Sequence, residues 1–455
     1  MTSESEERLC AAGMSRPAAI RHAARFAALI ASLRDLSGRL VSNVVRYWVP
    51  GRIEVLGKHT DYAGGRSLLC AVERGITMVA VPREDSHMRI LDANTMELAE
   101  CEMGPELSGP ARHWSNYPMT VARRIARDFP TLPELRGADI VFASDLPRAA
   151  GMSSSSALIV SAFLALADAN ELSSLPEFVH NIPDNEHLAG YLGAVENGWG
   201  FGGLAGDTGV GTLGGSEDHT AILCAHPHKL VQYSFRPVRF EREVNVPEGH
   251  CFAIAVSGVR AEKTGAARER YNRASRGMSV IVDIWRRATG RADVTAAAVI
   301  ASSPGALEEL RGVIAAADAS SLGFTAQELL TRLDHFVVES EELIPAASEA
   351  LATNDLAGFG SIVDRSQARA ERLLENQIDE TIELARSARE LGAVAASAFG
   401  AGFGGSVWAL VRAEHADAFL RRWEQHHREH FPLTSPGADE SFFVTNAGPS
   451  AIRIE

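Results

Sequence analysis

A glycine followed by four serines, placed where a short strand leads into an apolar helix, constrains the fold of this chain more than any other feature. The strand is predicted over Asp139–Ala143 and the helix over Leu158–Ala169, with Gly151-Met-Ser-Ser-Ser-Ser156 between them. Unsatisfied backbone N–H groups and the positive end of the dipole make a helix N-terminus a binding site for phosphate oxygens. A helix cap needs one serine, whereas four next to a glycine favour a phosphate-binding loop.

Common phosphate-binding folds are excluded by the motifs that the chain lacks. The sequence has no G-x-x-x-x-G-K-[ST] loop, no H-R-D and D-F-G elements, and no G-x-G-x-x-G after its first strand. Walker-type NTPases, protein kinases and dinucleotide-binding domains each need one of these patterns. The loop therefore belongs to a different nucleotide-binding fold.

Length and charge limit the class of protein further. The chain has 455 residues, which suggests two domains or one elaborated α/β enzyme, and its net charge is −14. A nucleic-acid surface needs a basic stripe, so this charge argues against nucleic-acid partners. The Ser/Glu-rich N-terminus has no apolar stretch, and no apolar run approaches the ~18–20 residues of a membrane helix. We therefore expect a cytoplasmic protein without a membrane partner, and the five scattered cysteines predict reduced thiols.

The rest of the chain is predicted to contain both helices and short strands. A leading helix is expected within Pro17–Leu40, strands between residues 44 and 103, and a helix at Tyr117–Phe129. The glycine-dense span Gly198–Gly215 must be loop. The remaining predictions are a strand at His219–Ala225, an interdomain connection at Pro237–His250, a strand at Cys251–Ser257 and a mainly helical second half.

A second concentration of polar residues lies in the stretch Pro50–Gly65. Glycines bracket a short predicted strand and a turn, and the polar side chains are Arg52, Lys58, His59, Asp61 and Tyr62. A strand and turn can carry such polar residues simply because they are exposed to solvent, so this stretch alone does not define a site.

Three separated motifs resemble those of the GHMP small-molecule kinases, a family that includes galactokinase, homoserine kinase, mevalonate kinase and phosphomevalonate kinase. The loop at 147–157 is similar to P-x-x-x-G-[LM]-S-S-S-[AS], and Ser397–Ser406 is similar to the third family motif, G-x-G-x-G-G. The stretch Pro50–Gly65 resembles the galactokinase signature G-R-x-x-x-x-G-E-H-T-D-Y-x-G-G. Weaker similarities follow in chain order at Trp114–Tyr117, Gly215–His219, Tyr271–Arg273 and Phe359–Ser366. The resemblance spans residues 45–411 and favours the galactokinase-like branch.

This resemblance implies an α+β protein with the two-domain GHMP kinase architecture. An N-terminal domain similar to the ribosomal-protein-S5-like fold would cover residues 43–245, and a C-terminal domain with a ferredoxin-like sheet would cover residues 246–455. Residues 1–42 would form a helical extension. ATP and a small-molecule sugar would bind in the cleft between the two domains, and the oligomeric state, a monomer or a weak dimer, stays open.

The resemblance also implies a phosphoryl-transfer site. ATP would donate its γ-phosphoryl group to a sugar hydroxyl, with Asp218 as the base and Arg52 beside it to stabilise charge. Mg²⁺ would be held by Ser155 and Glu196, which offer the hard oxygen atoms that the ion prefers. The residues implied for the nucleotide are Trp114, Gly151, Met152, Ser153, Ser154, Ser155 and Ser156. Those implied for the sugar are Lys58, His59, Asp61, Gly215 and Tyr271, together with Asp218.

Lys58 stands where the galactokinase signature has glutamate, which in the family resembles an acceptor for the hydroxymethyl end of the sugar. A lysine there would favour a substrate with a carboxylate, so one hypothesis is a uronic acid such as galacturonate or glucuronate. In the alternative, Lys58 turns to solvent or pairs with Glu54 or Asp61, and galactose or another neutral sugar is the substrate. A non-catalytic sensor of ATP and sugar is a different class of function, which the presence of Asp218 and Arg52 disfavours.

Two further departures from the family pattern lie beside the predicted base. His219 stands where the family has glutamine, and 21 residues separate Glu196 from Asp218, which is more than the family spacing. The additional length is the segment Gly198–Gly214. This segment is a flexible lid, a lengthened wall of the sugar pocket or a passive insertion in a surface loop.

Overall fold

The computed structural model describes residues 2–38, 42–147, 150–259, 265–434 and 441–454. Its strands form two sheets, with helices packed on their faces. The strands are β1 (Val45–Leu56), β2 (Arg66–Pro82), β3 (His87–Asp92), β4 (Glu97–Glu102), β5 (Ala138–Ser144), β6 (Lys229–Ser234), β7 (Arg239–Asn245), β8 (His250–Val256), β9 (Ala395–Phe399), β10 (Ser406–Arg412), β11 (Phe442–Thr445), β12 (Ala447–Gly448) and β13 (Ile452–Arg453).

Most of the described helices lie between β5 and β6 or between β8 and β9 in the sequence. The helices are α1 (Thr2–Ala11), α2 (Arg16–Ser37), α3 (Asn116–Asp128), α4 (Ser154–Ala169), α5 (Pro176–Asn181), α6 (Asn185–Asn197), α7 (Glu217–Cys224), α8 (Gly265–Thr289), α9 (Ala296–Ala301), α10 (Ala306–Ala316), α11 (Ala326–Val337), α12 (Ile344–Ala352), α13 (Leu356–Arg369), α14 (Asp379–Glu390) and α15 (Ala416–His430). A π-helical segment, Val338–Leu343, joins α11 to α12. Among the residues that the structure describes, no helix combines the length and the apolar character needed to cross a membrane.

The larger sheet has β2 at its centre. Its main path is β13-β1-β2-β5-β3-β4, and β6 and β12 also pair with β2, while β7 pairs with β6. Because β2 is 17 residues long, its first part pairs with β6 and its second part with β5. Strand β1 runs antiparallel along β2, with register shifts at Pro50/Arg52 and Glu54/Leu56. The polar stretch Pro50–Gly65 is therefore anchored in the middle of this sheet.

The two faces of the larger sheet have different coverings, as the alternation of side chains along β1 shows. Tyr47 and Val49 face the main hydrophobic core with α3, α4 and α6, whereas Trp48 faces α1 and α2. Helix α2 confirms the predicted leading helix, although its predicted end at residue 40 lies outside the described residues. The Arg25 guanidinium on α2 lies 2.9 Å from the Asp145 carboxylate after β5. The N-terminal helices are thus packed and paired against the sheet.

The smaller sheet is antiparallel, in the order β11-β8-β10-β9. Helices α14 and α15 cover one face of it, around a core of small residues and Trp423. Its other face contributes Phe252, Ile254 and Trp408 to the main core, so the two sheets share one continuous interior. After β11 the chain returns to the larger sheet, where β12 and β13 pair with β2 and β1.

Two of the sequence predictions for residues 219–250 are wrong. Residues 219–225 were expected to form a strand, but Glu217–Cys224 is helix α7. A short apolar run does not distinguish a buried strand from a buried helix by its pattern, and here packing against α4 and α6 determines the outcome. Pro237–His250, expected to be a connection between domains, contains strand β7 at the edge of the larger sheet.

Candidate active site

The three sequence motifs converge at one point of the structure. A Cβ atom on Gly400, in the turn after β9, would lie 2.8 Å from the carbonyl oxygen of Gly151, so only glycine permits this approach. The backbone N–H of Arg52 donates to the Met152 carbonyl at 3.4 Å, and the Ser406 hydroxyl donates to the Ala150 carbonyl at 2.7 Å. The serine loop is therefore held between β1 and the turn that joins β9 to β10.

The serine loop ends in the helix N-terminus that the sequence predicts. Helix α4 begins at Ser154, and Ser153 before it has a left-handed backbone with φ of +60°. The Ser153 hydroxyl is buried and makes no hydrogen bond within the described part of the chain. The Met152 side chain is buried in the main core and anchors the loop, while residues 148 and 149 lie outside the described residues. The N–H groups at this turn and the Ser153 hydroxyl are the donors that a phosphate group requires.

Arg52 joins the serine loop to the predicted base. Its Nε donates to Asp218 Oδ1 at 2.9 Å, its Nη2 lies 2.7 Å from the same oxygen, and its Nη1 donates to the Gly151 carbonyl. The Arg52 side chain is 4% exposed. Burial alone would lower the pKa of Arg52, but the carboxylates of Asp218, Glu217 and Glu54 raise it above its ordinary value. The guanidinium therefore stays charged and stabilises the negative charge of Asp218.

Asp218 lies in the first turn of α7, where the helix dipole also favours a negative charge. Across from it, the Ser156 hydroxyl lies 3.3 Å from Asp218 Oδ2 and donates to Glu196 Oε2 at 2.9 Å. The His219 Nε2 atom is 3.2 Å from the same oxygen of Glu196. The serine whose hydroxyl meets Glu196 is thus Ser156, one position beyond the predicted Ser155. Glu196 and Ser156 offer hard oxygen atoms, the donor type that Mg²⁺ prefers.

Except for Lys58, the predicted sugar residues line the cavity beside Asp218. Asp61 accepts from the Tyr62 N–H at 2.8 Å and from the Glu217 N–H at 3.2 Å, which fixes its carboxylate. A Cβ atom on Gly215 would lie 2.2 Å from Asp61 Oδ2, so glycine is required there. The rings of His59 and Tyr271 lie 5.0 Å apart, and His59 Nε2 contacts the Ala401 carbonyl at 3.2 Å. These residues come from the turn after β1, the loop before α7, helix α8 and the turn after β9.

The lining of the cavity contains both predicted and unpredicted residues. From the predicted set it includes Arg52, His59, Asp61, Glu196, Gly215, Asp218 and Tyr271. The lining residues that were not predicted as site residues are Glu54, Asn197, Thr212, Gly214, Glu217, His219, Gly400 and Ala401. Adjacency is the signal that could have found some of these, since Glu54 is two residues from Arg52 and Glu217 precedes Asp218.

Two unpredicted glutamates dominate the electrostatics of the cavity. Burial raises the pKa of Glu54 to about 7, against the opposing positive charges of Lys58 and Arg52. Burial and the neighbouring carboxylates of Glu54 and Asp61 raise the pKa of Glu217 well above its usual range. The Glu217 carboxylate also accepts from the Ser67 hydroxyl at 2.5 Å. Both carboxyl groups therefore bind a proton more readily than an exposed glutamate does.

Lys58 was predicted to contact the sugar, but its side chain points away from the cavity. Its side chain is 1% exposed, and its ammonium donates to the Ser397 hydroxyl at 2.8 Å and to the Ser366 hydroxyl at 3.3 Å. Ser366 in turn donates to Glu339 at 2.9 Å. In the described part of the chain Lys58 is not among the residues that line the cavity. The reason is that α13 and β9 present hydroxyl acceptors behind the cavity wall.

Trp114, the remaining predicted nucleotide residue, lies between β4 and α3. Its ring is 5.7 Å from that of Phe142, and its buried Nε1 makes no hydrogen bond within the described residues. The ring packs against the main core. Its predicted role beside the nucleotide stays a prediction.

The segment Gly198–Gly214 is loop, as predicted, and it is tied to the rest of the protein. Arg123 on α3 contacts Asp207 at 2.5 Å and the Thr208 carbonyl, while the Arg236 guanidinium lies 4.7 Å from the Trp199 ring. The end of the segment reaches the cavity, where Thr212 and Gly214 belong to the lining. This geometry matches the lengthened wall among the three sequence-based alternatives.

Comparisons with known proteins agree with this arrangement of motifs. The galactokinase galactose-binding signature matches residues 42–82, the N-terminal domain of GHMP kinases matches residues 116–198, and the C-terminal model of GHMP kinases matches residues 347–429. A galactokinase from Chloroflexus aurantiacus is 29% identical over 86% of this chain and 90% of its own length. A galactokinase from Fusobacterium nucleatum is 25% identical over 90% of this chain and 95% of its own length.

Solved structures support the predicted fold. Lactococcus lactis galactokinase complexed with galactose has a TM-score of 0.73 and 23% identity, covering 94% of this chain and 99% of that chain. Phosphomevalonate kinase from Streptococcus pneumoniae has a TM-score of 0.53 and 16% identity, covering 85% and 97% of the two chains. These matches confirm the predicted two-domain GHMP kinase fold of mixed helices and sheets. The three family models and the galactokinase relatives show that the chain belongs to the GHMP kinases, on the galactokinase-like branch.

Proposed function

We propose that this phosphotransferase is an ATP-dependent sugar 1-kinase that acts on galactose or a closely similar neutral hexose in the cytoplasm. The observation that carries the proposal is the Arg52–Asp218 pair, which lies between the serine loop and the cavity lined by Asp61 and Tyr271. A base, a fixed cation and a phosphate-binding helix N-terminus within one site are what phosphoryl transfer to a hydroxyl needs.

In this proposal the anomeric hydroxyl of the sugar binds beside Asp218, which accepts its proton as the oxygen attacks the γ-phosphorus. Arg52 orients the Asp218 carboxylate and stabilises the charge that develops on the transferred group. Asp61 holds ring hydroxyls with its two carboxylate oxygens, while His59 and Tyr271 form the adjoining wall. The γ-phosphoryl group thus moves from ATP to the sugar oxygen, and the proton moves to Asp218.

The nucleotide phosphates would lie against the N–H groups of the serine loop, where the α4 dipole favours negative charge. Glu196 and Ser156 would hold Mg²⁺, and their fit rests on the observed contact of the Ser156 hydroxyl with the Glu196 carboxylate at 2.9 Å. Bound there, the ion would neutralise charge on the phosphates. Ser155 was the serine proposed from the sequence, and it remains the alternative hydroxyl ligand.

The position of Lys58 supports a neutral sugar among the two substrate classes that the sequence left open. An ammonium held by Ser366 and Ser397 behind the cavity wall is not placed to meet a substrate carboxylate. Asp61, Glu196 and Asp218 give the cavity an acidic lining, which would repel an anionic sugar. We therefore favour a neutral sugar over a uronic acid.

The test is an assay of ADP release with galactose, arabinose, galacturonate and glucuronate, with the product identified by NMR. We expect turnover of a neutral sugar to its 1-phosphate, and a preference for either uronate would contradict the substrate class. Asp218→Asn should lower kcat by about 10³-fold, the scale of a general base, with nucleotide binding retained. Asp283→Asn, at an exposed position of α8, is the matched control and should keep full activity. Binding of ATP and sugar without ADP release in the unmodified protein would instead support the sensor.

A further inference from the structure

One carboxylate of the cavity has no role in the reaction described so far. Glu54, on β1, is 3% exposed and belongs to the cavity lining. One of its oxygens, Oε2, accepts from the Gly400 N–H at 3.3 Å. The other, Oε1, is buried and accepts from no N–H or hydroxyl group of the described residues, while the Glu54 carboxyl also shares a hydrogen bond with the Glu217 carboxyl. The contact with Glu217 needs a proton on one of the two carboxyl groups, so Oε1 lacks a donor whenever both are ionised.

The cation that balances Glu54 lies behind the wall, not in the cavity. Lys58 Nζ is held by Ser366 and Ser397, and its positive charge opposes the effect of burial on Glu54. Arg52 acts on Glu54 in the same direction. The two positive charges favour an ionised Glu54, while its neighbour Glu339 disfavours it. Lys58 can therefore support a carboxylate in the cavity without entering the cavity itself.

The charges at positions 54 and 58 differ from those of the galactokinase signature, which suggests that Glu54 takes the role of the acidic residue that position 58 lacks. The signature has a carboxylate where this chain has Lys58, whereas in this chain the carboxylate that lines the cavity is that of Glu54. We propose that Glu54 binds a hydroxyl group of the sugar through Oε1, and that Lys58 is its counter-cation. This proposal rests on the proposed sugar kinase function and adds a specificity-determining residue to it.

A competing role for Glu54 is structural. Burial and neighbouring carboxylates raise the pKa of Glu217, and its carboxyl shares a hydrogen bond with that of Glu54, so a proton on Glu217 is the alternative donor for Glu54. In that case the two glutamates would form a closed pair, and the sugar would not contact Glu54. The two roles differ in a measurable way, because only direct contact couples Glu54 to one particular hydroxyl of the sugar.

The experiment measures KM and kcat of the unmodified protein and of Glu54→Gln with galactose and with its 2-, 3-, 4- and 6-deoxy analogues. If Glu54 accepts a hydroxyl, the variant should raise the KM for galactose about tenfold while the KM for ATP stays unchanged. One deoxy analogue should have a raised KM with the unmodified protein and little further increase with the variant. Glu339→Gln is the matched control, because Glu339 is equally buried beside Lys58 but is not among the described lining residues.

Each result has one meaning. If each deoxy analogue raises KM by the same factor in the unmodified protein and in Glu54→Gln, the proposal is overturned and Glu54 belongs to the closed pair with Glu217. An unmodified protein that releases no ADP with any sugar would overturn the kinase function instead. Calorimetric titration with galactose and the same analogues would then make the same comparison from binding alone, and a Glu54→Gln variant with unchanged affinities would overturn the inference there too.

Discussion

Arg52 and Asp218 are joined by two nitrogen atoms of the guanidinium group, Nε at 2.9 Å and Nη2 at 2.7 Å, while the third nitrogen contacts the Gly151 carbonyl. This single side chain therefore fixes the position of the base relative to the serine loop. An arginine can do this because its donors form a rigid planar fork. The distance between the base and the phosphate site is thus set by one residue.

Arg52→Lys should consequently lose activity although the positive charge is kept. A lysine ammonium cannot hold Asp218 and the Gly151 carbonyl together, so we expect kcat to fall roughly 10²-fold, as for other losses of charge stabilisation. Steady-state kinetics with galactose measures this. The control is Arg89→Lys. Arg89 Nε lies 2.7 Å from Asp139 Oδ1, and neither residue lines the cavity among the described residues. Equal kcat values for both variants would show that the fork of Arg52 has no role in catalysis.

Glu196→Gln should raise the Mg²⁺ requirement of the reaction. The substitution keeps the shape of the side chain but removes the charge of a proposed metal ligand, a loss of about 1.5–3 kcal/mol, or roughly 10- to 100-fold. Titration of ADP release with MgCl₂ gives the half-saturating concentration, and chelation with EDTA should abolish release. Glu171→Gln, at an exposed position after α4, is the control. An unchanged Mg²⁺ dependence in Glu196→Gln would place the ion elsewhere.

Stability should depend on pH through Glu54. Its pKa is about 7 in the folded protein because of burial, compared with an ordinary value of 4.5. The folded state therefore binds this proton more tightly than the unfolded state, so the contribution is present below pH 4.5 and is lost as the pH rises through 7. The expected fall in the free energy of unfolding is at most about 3 kcal/mol between pH 5 and pH 8.

Glu54→Gln tests this pH dependence, because the amide does not titrate. The variant should be more stable than the unmodified protein at pH 8 and closer to it at pH 5, as measured by denaturant unfolding. Glu100→Gln, at an exposed position of β4, should leave the pH dependence unchanged. A constant difference between Glu54→Gln and the unmodified protein over this range would mean that Glu54 is ionised throughout.

The motifs predicted the fold and the residues nearest to the chemistry, since glycine and serine spacing reports directly on backbone geometry. Arg52, Gly151 and Gly400 meet although nearly 350 positions separate the first from the last. The sequence could not predict which of Glu54 and Lys58 faces the cavity. The strand register shifts between Glu54 and Leu56, and at such a bulge the alternation of side chains no longer assigns faces.

Helix α7 shows the same limit at the level of secondary structure. The run His219–Ala225 is short and apolar, so its local pattern fits a strand as well as a helix. Its packing between α4 and α6 is set by residues that are distant in sequence. The serine hydroxyl that contacts Glu196 is likewise that of Ser156 and not of the predicted Ser155, because the direction of each hydroxyl depends on the first turn of α4. Side-chain direction at element ends is the part that the sequence leaves open.

Arg123→Gln should show what the segment Gly198–Gly214 does. Arg123 is buried on α3 and ties the segment through Asp207 and the Thr208 carbonyl. Without these contacts we expect faster proteolysis within residues 198–214. Since Thr212 and Gly214 line the cavity, the KM for galactose should rise about fivefold, the effect of roughly 1 kcal/mol, with the KM for ATP unchanged. Arg127→Gln is the control, because Arg127 is 39% exposed and reaches Asp207 only at 3.9 Å. Faster proteolysis with an unchanged KM would identify a passive insertion, whereas rapid proteolysis of the unmodified protein that a bound sugar suppresses would identify a lid.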